Sequence, residues 1–183
     1  MRRGIRARAW FRSGKLLKAA RKQEGNSMSK VIGEGDKAPD FSLATDSGGK
    51  ISLKEFAGHP LVLYFYPKDD TAGCTKEALA FTAAAPKFKK LGVPVIGMSK
   101  DNVASHDRFK AKHKLNFTLA SDPDGSVIES YGSWVEKSMY GRKYMGIDRS
   151  TFIVDSKGRI VKIWRKVKVL GHAEEVLAVL KVL

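Results

Sequence analysis

The stretch that most restricts the fold is LVLYFYPKDDTAGCTKEALAF, residues 61–81. LVLYFY is a nearly continuous apolar run without polar alternation, which predicts a strand buried on both faces. Pro67 ends it, a turn rich in Asp, Thr and Gly follows, and a helical pattern begins. From Cys74 to Leu91, residues Ala78, Phe81, Ala85 and Phe88 recur at helical spacing, and Gly92 closes the helix. Pro86 lies inside this pattern and predicts a kink.

The same alternation continues along the chain. DFSLAT and KISL flank DSGG as a hairpin with a Gly-rich turn. VPVIGMS reads as a second buried strand. DNVASHDRFKAKHK, residues 101–114, reads as a helix capped by Asp101, with Val103, His106 and Phe109 toward its inner face. NFTLASDPDGSVIESYGSW reads as irregular. STFIVD and RIVKIWR form a hairpin across SKG, and HAEEVLAVLKVL, residues 172–183, forms an amphipathic terminal helix. Strands alternating with helices predict an α/β sheet. The closing hairpin and last helix give it a thioredoxin-like pattern: a central mixed sheet, helices on both faces, and an N-terminal β-hairpin. There is no Gly-rich phosphate loop.

Length allows one domain with a sizeable core. The net charge of +15 is unevenly placed: residues 1–27 hold six Arg, three Lys and one Glu. We read residues 1–29 as a basic extension that is disordered or not native, with Met28 as the natural first residue, and residues 30–183 as the folded domain. An organellar transit peptide, or a basic arm for nucleic acid or anionic lipid, are the alternative readings of that extension. The domain itself is assigned no nucleic-acid or membrane role. A single Cys forms no internal disulfide or multi-cysteine metal site and suits a reducing compartment such as the cytoplasm.

That Cys stands where a buried strand gives way to a helix. Strand-to-helix turns open at the functional edge of an α/β sheet. Unpaired N–H groups and the macrodipole of a helix N-terminus favour an anion, so a thiol in this position is set up as a nucleophile. The alternative is a small packing residue. His59, His106, His113 and His172 show no metal-ligand spacing. A Cys–His hydrolase with His106 or His172 as base is possible in principle, without support from spacing.

Pro67, Thr71 and Cys74 stand as P-x-x-x-T-x-x-C, and this pattern resembles the peroxiredoxin signature. YFYPKDDTAGCTKEALAF, SHDRF, EKSMYGRKYMGIDRSTFIVD and VKIWRKVKVLGHAEEVLAVL resemble the peroxiredoxin Q group, also called bacterioferritin comigratory proteins, from about Gly33 to the C-terminus. The resemblance implies a thioredoxin-like fold and a thiol-dependent peroxidase without metal, haem, flavin or other cofactor. It makes Cys74 the peroxidatic nucleophile that becomes a sulfenic acid. Thr71 would place its hydroxyl on the peroxide and Pro67 would shape the pocket wall. Arg149 would stabilise the thiolate and the breaking O–O bond, and Glu77 would orient Arg149.

The chain departs from the group at two positions that hold resolving cysteines in other members: here they are Leu79 and Lys110. Ala72 replaces a common turn proline. The sulfenate must then be resolved by an external thiol (glutathione, thioredoxin or a glutaredoxin) or by Cys74 of a second chain, in a monomer or weak homodimer. The alternative function is a peroxide-sensing relay with little turnover.

Overall fold

The structure, a computed structural model, describes residues 32–183. The expected basic extension lies outside the described residues.

The strands are β1 (Ser42–Thr45), β2 (Lys50–Ser52), β3 (Leu61–Phe65), β4 (Val95–Ser99), β5 (Thr118–Ser121), β6 (Trp134–Met139), β7 (Arg142–Ile147), β8 (Ser150–Val154) and β9 (Ile160–Trp164). The helices are α1 (Ala72–Lys90), α2 (Val103–His113), α3 (Ser126–Ser130) and α4 (His172–Leu180). Among the described residues, seven strands form one mixed sheet in the order β2-β1-β5-β4-β3-β8-β9, and β6 and β7 pair only with each other. β3, β4 and β5 run parallel, with antiparallel pairs on both sides.

The central position of β3 explains its apolar run. Val62 and Tyr64 face a core with Phe81 and Phe88 of α1, Phe109 of α2 and Val176 of α4. Leu61, Leu63 and Phe65 face the opposite core with Val127 and Ile128 of α3. A strand with helices over both faces has no solvent side for polar residues. Tyr64 also sets a limit on β4. Its register partner is Gly97, where an added Cβ would lie 2.8 Å from the Tyr64 ring. The ring is buried and stacks on Phe81 at 4.8 Å, so it has no room to yield. Gly97→Ala is expected to cost about 1–3 kcal/mol, read as a lower urea midpoint at unchanged slope.

Three local expectations are corrected. The region expected to be irregular contains β5 and α3, and the β6–β7 hairpin was not anticipated. The cap of α2 is Asn102, whose side chain accepts from Ser105 N, rather than Asp101. Pro86 lies within α1 without breaking it. Proline has no N–H to give the carbonyl four residues earlier. That carbonyl, on Thr82, accepts instead from Asn116 Nδ2 at 3.2 Å. Among the described residues, no helix is long and apolar enough to cross a membrane.

Candidate active site

β3 delivers the chain to the sheet edge, and residues 66–71 turn it into α1. The turn is pinned mainly by Asp69, which is buried. Its carboxylate accepts from Tyr66 Oη at 2.7 Å and Ser105 Oγ at 2.8 Å, and lies 2.9 Å from His106 Nδ1. Burial opposes the Asp69 charge, but the bonds from His106, Tyr66 and Ser105 outweigh it and lower its pKa. Asp69 N in turn donates to Asp101 Oδ2, which also accepts from Ser99 Oγ. This use of Asp101 leaves the helix cap to Asn102. Asp70, at φ 57, is held by Lys112 and His113 of α2.

The turn sets Cys74 in the first turn of α1, 2% exposed. Thr71 occupies the N-cap position but makes no capping bond; its hydroxyl donates to Lys68 O at 3.1 Å. The first-turn amides are therefore not taken up by the Thr71 side chain. Pro67 and Thr71 are both exposed on the turn.

Arg149 arrives from the other side, one residue before β8. Its Nη2 donates to Cys74 Sγ at 3.3 Å and its Nη1 pairs with Glu77 Oε2. Gly73 lets the guanidinium in: a Cβ there would lie 3.3 Å from Nη2. Cys74, Glu77 and Arg149 are thus brought together from positions 75 residues apart at most.

Glu77 is 1% exposed. Burial raises its pKa to about 7, partly offset by Arg149. Burial also works against the Arg149 charge, but Glu77 and Cys74 outweigh it and raise the guanidinium's pKa. The direct contact makes the ion pair the state that holds Arg149 over the sulfur. A carboxyl whose folded pKa exceeds its unfolded value adds stability that is fully present below the unfolded pKa and lost as pH rises through the folded one. Relative to Glu77→Gln, the wild-type protein should therefore lose stability between pH 4.5 and 7. The slope should not exceed about 1.4 kcal/mol per pH unit. Urea unfolding of both proteins across that window measures it.

The histidines take structural places. His106 is fully buried against Asp69. His172 Nε2 lies 2.8 Å from Thr151 Oγ1, and burial lowers its pKa. These partners give neither ring the arrangement of a general base on Cys74, so the Cys–His reading is set aside. Sequence reasoning missed Tyr66 and Asp69 and read Asp101 as a helix cap only, although KDD and SHD carry Asp69, Ser105 and His106. Of the two positions lacking a resolving cysteine, Leu79 is partly exposed on α1. Lys110 is ion-paired to Asp46 at 2.5 Å.

The arrangement of a buried thiol at a helix N-terminus under a fixed guanidinium is accompanied by a family match over residues 34–163, described as the AhpC/TSA family. The chain belongs to the AhpC/TSA family. Within it, the chain falls in the Bcp or peroxiredoxin Q group. It is 49% identical to the peroxiredoxin Bcp of Xanthomonas campestris, over 78% of this chain and 89% of that protein. It is 46% identical to the peroxiredoxin Bcp of Bacillus subtilis, over 80% of this chain and 94% of that one. Among solved structures, the Xanthomonas campestris bacterioferritin comigratory protein superposes with a TM-score of 0.75. That match has 47% identity and covers 78% of this chain and 90% of that one. The study of that structure concerns its alkyl peroxide reduction activity. The thioredoxin-like fold expected from the sequence is the fold of this group.

Proposed function

We propose that this peroxiredoxin reduces hydrogen peroxide and organic hydroperoxides at Cys74, through a sulfenic acid that an external thiol resolves. The observation that carries the reading is the 3.3 Å contact of Arg149 Nη2 with Cys74 Sγ, under the grip of Glu77. The thiolate sulfur attacks the terminal peroxide oxygen. An S–O bond forms, the O–O bond breaks, and the leaving oxygen takes a proton and departs as water or alcohol. The sulfur is oxidised and the peroxide reduced. Arg149 stabilises the thiolate and the charge that moves onto the leaving oxygen. Glu77 positions Arg149. The first-turn amides and the Thr71 hydroxyl orient the peroxide, and Pro67 walls the pocket.

Resolution begins when an external thiol attacks the sulfenate sulfur, releasing water and leaving a mixed disulfide that a second thiol reduces. At 2% exposure, Cys74 meets Cys74 of a second copy only if both first turns open, which favours a small thiol or a reductase in the order of events. A monomer or weak homodimer in a cytoplasmic, reducing setting fits this scheme.

Steady-state peroxide consumption with glutathione, a glutaredoxin system or a thioredoxin system as reductant tests the proposal. Sustained turnover with one of them is expected. Consumption that stops after one equivalent per chain with all three favours the sensing relay instead.

A further inference from the structure

The C-terminal half of α1, the half away from Cys74, lines a cleft of about 620 Å³. That volume falls in the range of small-molecule sites. Its wall is mostly apolar, including Phe81, Ala85, Phe88, Pro94 and Phe117, with Lys89 and Asn116 as polar members. The Asn116 amide already donates to the Thr82 carbonyl freed by Pro86, which leaves Lys89 as the group available to an incoming ligand.

The charge around the cleft is one-sided. Residues 81–95 and 110–118 contain no Asp or Glu but six lysines. Lys110 and Lys112 are paired with Asp46 and Asp70. Lys87, Lys89, Lys90 and Lys114 make no ion pair with another described residue. An apolar cleft bordered by unneutralised positive charge is complementary to an anion with an apolar body. It is poorly matched to residues 1–27, with nine bases and one acid, or to a second copy of a chain with net charge +15.

We infer that the cleft binds an amphipathic organic anion, an apolar chain carrying one carboxylate, with the chain along Ala85, Pro86 and Pro94 and the carboxylate on Lys89. The site is separate from the one that holds Cys74 and stands independently of the peroxidase reading.

Calorimetric titration of the full chain with dodecanoate, below its micelle concentration, tests it. Saturable one-to-one binding is expected, and Lys89→Glu should weaken it about tenfold by reversing a partly exposed charge contact. Ala85→Trp should fill the cleft and abolish binding, and decyltrimethylammonium should not bind. Neither substitution touches Cys74, Glu77 or Arg149, so an unchanged rate of Cys74 oxidation by peroxide reports an intact fold. If Ala85→Trp fails that control, Lys89→Glu and the cationic probe decide. Three results would overturn the inference: no saturable binding, equal binding of the cationic probe, or a dimer that the Lys89→Glu exchange dissolves, which would give the cleft to a second copy.

Discussion

Cys74→Ser is expected to remove peroxide-dependent turnover, by at least about 10³-fold, since it deletes the nucleophile rather than a contact that assists it. The loss should be chemical and not structural. Cys74 is buried with its sulfur accepting from Arg149, and a hydroxyl fills nearly the same space and accepts the same bond. Stability should change by no more than about 1–2 kcal/mol. Peroxide consumption measured beside a urea titration separates the two effects. Residual turnover within tenfold of wild type would mean that the reaction does not run through this sulfur.

Arg149 carries the second large effect. Its guanidinium touches both the reacting sulfur and a nearly fully buried carboxylate, so one side chain supports rate and fold together. Arg149→Met should slow Cys74 oxidation by about 10²–10³-fold, the scale seen when a preorganised donor is removed from a developing charge. It also leaves Glu77 buried without its countercharge. Breaking a buried pair from one side costs about 3–5 kcal/mol, unless the carboxyl takes up a proton. With burial already raising its pKa to about 7, Glu77 has that escape. Losing Arg149 raises that pKa further, so the stability cost of Arg149→Met should shrink as pH falls toward 7 and stay level below it. Arg149→Lys keeps the charge but loses the fork that spans both partners, so it should recover only part of the rate. Adding Glu77→Gln to Arg149→Met should cost less than the sum of the two, since both act on one contact. Stopped-flow oxidation and urea unfolding of the set measure these relations; additive costs would show that Glu77 and Arg149 act separately.

The part of the molecule that presents Cys74 was legible because it is local. The apolar run of β3, the proline that ends it and the helical spacing of Ala78, Phe81 and Phe88 lie within one short stretch, and the structure keeps them as strand, turn and helix. The β8–β9 hairpin was legible for the same reason. Its turn is fixed by Asp155, which accepts from Lys157 N and Arg159 N.

The β6–β7 hairpin was hidden by its composition. Both of its faces are largely polar or exposed near the tip, so no apolar alternation marks it. The remaining signal was Tyr140–Gly141, where both residues adopt positive φ as a tight hairpin turn requires. The clamp around the active-site turn was hidden by distance. Asp69 and His106 stand 37 residues apart, and Lys110 meets Asp46 across 64, so only the folded sheet brings them together. Asp101 and Asn102 are both good caps by type. The choice between them was made by Ser99 and Asp69, which take up the Asp101 carboxylate.

The most direct test of the central claim is a single turnover. Reduced protein is mixed with one equivalent of hydrogen peroxide and its intact mass is followed, beside Cys74→Ser. The account predicts a rapid gain of about 16 Da, the one oxygen of a sulfenic acid, absent from the variant. A Cys74 that stays unmodified, or that oxidises no faster than the same thiol in the urea-unfolded chain, would contradict it.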